Sequence, residues 1–525
     1  MGHYLNPGSE KFEMSLNTDI YIDKSNLIAK TNKIIRTRHR FICISRPRRF
    51  GKTMAAEMLA TYYGAGENTH DLFKQLEIAK DETYEKHRGQ YNVLLINMQE
   101  FLSRSKTVSG MLKLLTTQIT KDFKAIYPDI NYDQAIDFIQ VMKDTYEQSK
   151  KPFIILIDEW DCLFREFKDD LTSQKIYLDF LRLWLKDQVY VGLAYMTGIL
   201  PIKKYGTHSA LNMFREYSMT LPRDFVNYFG FKEVEVKALA TQYEMDFDEI
   251  EKWYNGYFTE MNNPIYNPTS VSECLSSKQI ASYWNKTETY EALKDYIKLD
   301  YDGLKSKITQ MFTGTSIKIN ADKFTNDMTS FSNADDVLTL LVHLGYLSYH
   351  FEDSTVRIPN EEVKKEFINA MESLKWNHVI DAIHTSDKLL QAALDGDSVA
   401  VAERVQKIHE QNISILEYND ENSLSCVISL AFFTAKDYYN IHRELHSGKG
   451  FADLVFMPRK NHLDKPAIVV ELKWNRTVEG AIAQIKEKNY VSVFEEYQGN
   501  LLLVGINYDK SEKNYTCMIE TWDKQ

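Results

Sequence analysis

Several things are scarce in this sequence. It has only five cysteines in 525 residues (Cys43, Cys162, Cys274, Cys426 and Cys517), scattered and without a C-x-x-C pair. That excludes a disulfide framework and a cysteine-based structural zinc, and fits a reducing compartment. No apolar run approaches the roughly 18 residues that would span a bilayer. Residues 1–13 lack the apolar core of a secretory signal. The expected setting is the cytoplasm, with no membrane partner. Positive charge does not dominate either: 63 Lys and Arg face 74 Asp and Glu, a net charge of -11. Contact with nucleic acid therefore requires a local basic groove. Internal repeats, low-complexity tracts and Gly/Ser linkers are also missing, which predicts closely coupled domains. What is present is 44% hydrophobic and 13% aromatic residues, enough for real cores and about two to four domains.

The chain is organised around Phe41-Ile-Cys-Ile-Ser45 and the loop Arg46-Pro47-Arg48-Arg49-Phe50-Gly51-Lys52-Thr53-Met54. An apolar run enters a loop that ends in Gly-Lys-Thr, and a helix-forming run follows. That is the order of a phosphate-binding P-loop. Backbone N–H groups and a helix N-terminus favour an anion. Lys52 is placed to reach the β- and γ-phosphates of ATP, and the Thr53 hydroxyl to hold Mg²⁺. Arg46 stands where the pattern asks for its first glycine, and an ordinary strand–turn–helix with a basic turn is the alternative. A cluster just upstream (Arg36, Arg38, His39, Arg40) reads as a solvated helix end beside the phosphate site, with a DNA-binding patch the alternative.

Residues 91–98 read as a second buried strand, followed by a long helical region over about 107–149. Then Phe153-Ile-Ile-Leu-Ile runs into Asp158-Glu159-Trp160-Asp161. Two carboxylates at the C-terminal end of a buried parallel strand resemble a Walker B strand. Asp158 is expected to hold Mg²⁺ and Glu159 to act as general base on the attacking water; capping of the next helix is the alternative. The run 189–198 gives another buried strand, whose polar tip, Thr197, either senses the γ-phosphate or merely caps the strand. Lys203, Lys204, Arg215 and Arg223 follow. An arginine among them is a candidate finger, supplied in trans by a second copy or a partner protein.

From about 226 the pattern turns helical and polar, with Tyr254-Asn-Gly-Tyr257, Tyr266-Asn-Pro268 and Tyr283-Trp284 at turns. Residues 334–367 give helix, strand, strand, helix, a winged-helix-like order; with little positive charge it reads as a lid on the ATPase, DNA binding being the alternative. Residues 376–417 read as two amphipathic helices with a turn at Asp395-Gly-Asp397, connecting to a last domain.

In the last hundred residues, Gly450-Phe451-Ala-Asp453 opens a strand, and Ala467-Ile-Val-Val-Glu471-Leu-Lys473-Trp474 forms another. Strand periodicity puts Val469, Glu471 and Lys473 on one face. Side by side, the strands bring Asp453, Glu471 and Lys473 together. Two carboxylates suit Mg²⁺ or Mn²⁺, with Glu421 a candidate further ligand. Lys473 would orient the attacking water. A Glu–Lys surface pair is the alternative.

Both constellations together resemble a two-domain family that pairs an AAA-ATPase-like domain with a C-terminal PD-(D/E)XK nuclease-like domain. The resemblance rests on Tyr21-Ile-Asp-Lys-Ser25, Ser45-Arg-Pro-Arg-Arg-Phe-Gly-Lys-Thr53, Asp158-Glu159, Thr197-Gly198, Tyr266-Asn-Pro268, Gly345-Tyr-Leu347, Ile358-Pro-Asn360, Asp453 and Glu471-Leu-Lys473. It implies that arginine is normal at position 46 and that Gln484 is a supporting polar residue of the nuclease. Phe451 stands where the family usually has arginine. The implied fold is α/β: an AAA-type P-loop ATPase with a parallel sheet (1–225), a helical and winged-helix-like lid (226–375), a helical connector (376–418) and a nuclease-like α/β domain (419–525). The implied function is an ATPase whose nucleotide cycle controls a metal-dependent nuclease, acting on DNA more than RNA, in defence or mobile-element biology. The competing reading is a signalling-type ATPase switch whose nuclease-fold module is silent and only binds nucleic acid or protein.

Overall fold

The computed structural model describes residues 2–522 apart from 133, 134, 136, 203–210, 262, 285–288, 325–330, 413–426, 448, 449, 488–496 and 498, and omits the side chains of 289–292, 412, 443–447 and 450–452. The protein is α/β and divides into two compact units, Met1–Thr287 with Lys318–Val363, and Glu288–Ile317 with Lys364–Gln525.

The first unit is built on five parallel strands: β1 (Phe41–Ser45), β2 (Asn92–Asn97), β3 (Phe153–Asp158), β4 (Val191–Gly198) and β5 (Arg215–Tyr217), in the order β2-β3-β4-β1-β5. β1, β3 and β4 are buried along their whole length, as expected where helices cover both faces of a parallel sheet. β1 lies beside β4, not β3, so the loop leaving β1 crosses the tip of β4. Ser45 pairs with Gly198, and Asp158 with Asn97 on the far side. The helical region after β2 is two long helices, Val108–Ile126 and Phe138–Ser149, each capped by its own side chain, Thr107 and Asp137.

The same unit holds a small antiparallel sheet, order β6-β8-β7, made of β6 (Phe231–Lys232), β7 (Tyr257–Phe258) and β8 (Pro264–Tyr266). β10 (Ser348–His350) and β11 (Thr355–Arg357) pair antiparallel in another three-stranded sheet, order β10-β11-β9, whose β9 (Ile317–Lys318) begins on the last residue of the second unit's first segment. The expected helix–strand–strand–helix order is present, with helices Ala334–Leu344 and Glu361–Ser373 flanking β10 and β11.

The second unit carries β12 (Tyr439–Ser447), β13 (Gly450–Pro458), β14 (Ala467–Trp474), β15 (Leu501–Asp509) and β16 (Asn514–Trp522), paired in sequence order. Only β14 and β15 run parallel, joined through helix Val478–Glu487, whose Ile482 and Ile485 pack on Val469, Leu501 and Leu503. Helices Asn377–Leu394 and Ser398–Asn412 match the two expected helices. The second of them is part of this unit's core. Gln406 accepts from the Tyr515 amide at 3.0 Å, and the His409 ring packs at an angle against Tyr508 and edge-on against Tyr515.

Candidate functional sites

Gly51 starts the Lys52–Tyr63 helix with φ +85°. A Cβ there would meet nothing within 4 Å, so glycine is needed for its backbone, not for space. Arg49 also takes a left-handed φ, +69°, which costs a non-glycine residue about 1–2 kcal/mol. Its guanidinium donates to the Tyr283 carbonyl at 2.6 Å, a charge-assisted bond of about the same worth. Arg46 is buried and donates to the Ser45 and Tyr217 carbonyls at 2.8 and 2.9 Å. The arginine in the glycine position therefore points back to β5 and anchors the loop. Phe50 and Pro47 are buried too, and Arg48 is half-buried, while Met54 is exposed. Of these six expected nucleotide contacts, the Arg46, Arg49 and Phe50 side chains are engaged by protein, which leaves the loop backbone as their means of meeting a phosphate.

Lys52 is 5% exposed and donates to the Arg46 and Pro47 carbonyls at 3.0 and 2.9 Å. Burial pushes its pKa down, partly offset by Glu159, Asp158 and Asp161. A phosphate would compete with two neutral carbonyls for this ammonium. Thr53 donates to Oδ2 of Asp158 at 2.7 Å, and Thr197 donates to Oδ1. Asp158 is buried, and two strands, β3 and β4, and one helix converge on its carboxylate. A hydroxyl and a carboxylate oxygen side by side at a helix N-terminus, beside a buried lysine, are hard oxygen donors of the kind that suits Mg²⁺ with a triphosphate.

Glu159 sits at φ +53° and pairs with Arg165. Burial raises its pKa, and Asp161 adds to the rise, while Arg165 and Lys52 pull it down. Asp161 is fully buried and accepts from the Ile199 and Leu200 amides at 3.0 and 2.8 Å, with Arg165 Nε at 3.5 Å. Gly198 makes room for this cluster: a Cβ there would stand 2.7 Å from Asp161 Oδ1 and 2.8 Å from the Trp160 ring. Sequence reading assigned no role to Arg165 or Asp161. Their four-residue spacing on one helical turn was the available signal. Arg215 lies exposed at the start of β5, and Arg223 at φ +45° has its amide on Glu260 at 3.3 Å. Lys203 and Lys204 lie outside the described residues.

In the second unit, the β13–β14 register matches Leu454 with Val470, which sets Asp453 opposite Glu471. There the ladder opens, and Asp453 Oδ2 takes the Leu472 amide at 2.7 Å. Glu471 is 2% exposed. Its Oε1 accepts from Lys473 Nζ at 2.9 Å and from Gln484 Nε2. Gln484 Oε1 in turn accepts from Lys473 at 2.7 Å. The structure thus brings Asp453, Glu471, Lys473 and Gln484 to one place. Gly505, paired with Glu471, permits it: a Cβ at Gly505 would stand 2.9 Å from Val478 O and 3.0 Å from Ala481 Cβ. The bare strand lets helix Val478–Glu487 come down far enough for Gln484 to reach, a role the sequence did not reveal. Two carboxylates of this chemistry fit a divalent cation. Among the described residues, however, no group of three or more His, Cys, Asp or Glu is placed to share one. Glu421 and the Phe451 side chain lie outside the described residues.

Comparison with known proteins agrees with this division. Residues 8–207 match the family model described as predicted AAA-ATPase (AAA-ATPase-like), and residues 419–518 match that of the PD-(D/E)XK nuclease superfamily. The chain is 25% identical over 287 residues to an uncharacterised protein in the vnfD 5′ region of Azotobacter chroococcum mcd 1, covering 53% of this chain and 52% of that one. It thus spans about half the length of the curated relative it matches. Among solved structures, Cdc6p from Pyrobaculum aerophilum aligns at 8% identity and TM-score 0.23, covering 67% of this chain and 93% of the other. The Aeropyrum pernix ORC2 protein aligns at 12% and 0.29, covering 70% and 93%. Likeness at that level carries no argument about chemistry. The chain therefore combines an AAA-ATPase-like domain with a PD-(D/E)XK nuclease-like domain. Among the described residues no helix is long and apolar enough to cross a membrane.

Proposed function

We propose that the chain binds and hydrolyses ATP in its first unit, and that the nucleotide cycle controls a metal-dependent phosphodiesterase in its second, acting on DNA more than RNA. The observation that carries the reading is the meeting of Thr53 and Asp158 at 2.7 Å beside the buried Lys52. In this reading Lys52 neutralises the β- and γ-phosphates, and Thr53 and Asp158 hold Mg²⁺, which would supply charge stabilisation when bound. Glu159 takes the proton of the attacking water once Arg165 releases its carboxylate. Arg215 or Arg223 of a second copy, or a partner's arginine, completes the site. The domains are proposed at 1–225, 226–375, 376–418 and 419–525, and the setting in defence or mobile-element biology.

In the second unit, Asp453 and Glu471 would hold Mg²⁺ or Mn²⁺, Lys473 would orient the water, and Gln484 would hold Lys473 in place. A second reading, a switch with a silent nuclease module, is favoured by one observation: one oxygen of the Glu471 carboxylate, Oε1, already accepts from both Lys473 and Gln484. ATP turnover by the full chain, with DNA and RNA cleavage assayed in Mg²⁺ and Mn²⁺ with and without ATP, separates them. Turnover with no cleavage under any condition leaves the switch; no turnover removes the ATPase.

A further inference from the structure

The phosphate loop is gripped by a distant part of its own unit. Pro47 lies against Gly345, where a Cβ would stand 2.8 Å from Pro47 Cβ and 2.8 Å from the Trp284 ring. Phe50 meets the Tyr257 ring edge to face at 5.3 Å, and the Tyr257 hydroxyl donates to the Gly345 carbonyl at 2.6 Å. Arg49 donates to the Tyr283 carbonyl across 234 positions of sequence. The same short segment is held from its other side. The Tyr283 and Trp284 amides donate to Glu362 Oε1 at 2.7 and 3.0 Å. Glu362 is 1% exposed, in the first turn of helix Glu361–Ser373, where amide donors and the helix N-terminus stabilise a buried carboxylate.

We propose, on the reading that ATP binds this loop, that Arg49, the Tyr283–Trp284 segment and Glu362 form a latch in which Arg49 is a positioning residue. Arg49 ties the backbone that presents amides to the phosphates to the start of helix Glu361–Ser373, and nucleotide tightens the tie. The reason lies in the backbone. Arg49 is held left-handed two residues before Gly51, and its guanidinium bond to the Tyr283 carbonyl helps to hold it there. A phosphate that draws in the amides of residues 48–52 selects the same conformation, so it favours the Tyr283 contact and, through it, the two amides on Glu362. The helix continues past Val363, the last residue of the first unit.

Binding linkage makes this quantitative: the factor by which nucleotide stabilises the latch must equal the factor by which the latch tightens nucleotide. The test is hydrogen exchange on the full chain with Mg²⁺ and a non-hydrolysable ATP analogue. In the wild type, the Tyr283 and Trp284 amides should exchange about fivefold or more slowly with the analogue. Arg49→Ala should abolish that change and weaken the analogue by the same factor, with its melting temperature without nucleotide measured alongside. Glu362→Gln, which keeps the acceptor oxygen and removes the charge, should reduce the change at 283–284. A purely structural Arg49 would lower the melting temperature and leave the nucleotide-linked difference intact, and that result overturns the latch. Protection of residues 46–53 in the wild type with none at 283–284 also overturns it while sparing the ATP site. No protection at 46–53 overturns both.

Discussion

Thr53 Oγ1 and Asp158 Oδ2 meet at 2.7 Å across 105 positions of sequence. Strand order explains it: β1 and β3 flank β4, and the helix after β1 starts above the tip of β4, where Thr197 binds the other Asp158 oxygen. The aspartate is oriented from both sides. Asp158→Asn keeps the shape and removes the charge. It should weaken Mg²⁺-ATP by about tenfold or more and magnesium-free ATP much less, since the lost interaction is charge-assisted. Titration with and without EDTA checks this, and equal losses in both would remove Asp158 from the metal.

Lys52→Ala should abolish nucleotide binding and leave the fold intact. The ammonium satisfies two loop carbonyls, but burying it is itself unfavourable. The net stability change should stay within about 1–2 kcal/mol. A melting curve beside a fluorescent-nucleotide titration decides it: unchanged affinity would end the P-loop assignment.

Glu159→Gln should bind ATP and fail to turn it over. Arg165→Ala should act on the pH profile instead. Arg165 holds the Glu159 pKa down against burial and Asp161, so without it the pKa rises. The base is then deprotonated only at higher pH, and the acidic limb of kcat moves towards alkaline pH. A limb that stays put, or moves towards acid, would mean that Glu159 is not the titrating base.

The strands were legible where sequence alone carries the signal. β1, β3 and β4 are continuous apolar runs because both faces are covered, and the carboxylates at the end of β3 stand out against that background. The alternation around Glu471 and Lys473 likewise put both on one face, and the structure joins them. β5 was not legible: Arg215-Glu216-Tyr217 has no apolar pattern and exists through its pairing with β1. β12 and β16 are edge strands with mixed polarity, so no period marks them. Gly505 and Glu362 act through contacts remote in sequence, which no local pattern encodes. Nor does the loop's sequence tell where its arginine side chains go: Arg46 binds the carbonyls of Ser45 and Tyr217, and Arg49 that of Tyr283.

Acid should loosen the second unit through His409. Burial lowers its pKa from the ordinary 6.5 to about 4, so the unfolded chain binds the proton first. Stability is fully present above about pH 6.5 and falls as pH drops towards 4. His409→Phe, which keeps a ring against Tyr508 and Tyr515, should flatten this part of the acid profile. Urea melts between pH 7 and pH 4 read it directly, and an unchanged slope would show that His409 is not the group responsible.

The nuclease-like site yields the sharpest comparison, because three variants should fail in different ways. Asp453→Ala removes one of two carboxylates and should weaken Mn²⁺ binding as well as abolish cleavage. Lys473→Ala removes a cation that competes for Glu471 and should spare Mn²⁺ binding, or strengthen it, while abolishing cleavage. Gly505→Ala touches neither carboxylate. Its methyl group would press on Val478 O and Ala481 Cβ and lift the helix that carries Gln484, at a stability cost of about 1–3 kcal/mol. With Gln484 withdrawn, Lys473 loses its 2.7 Å acceptor, so cleavage should fall while Mn²⁺ still binds. Calorimetry with Mn²⁺ on all three, beside cleavage of DNA and RNA, gives the pattern. If wild type and Asp453→Ala bind Mn²⁺ alike, the two carboxylates are not a metal site. The Glu471–Lys473–Gln484 network is then the interior of a binding module.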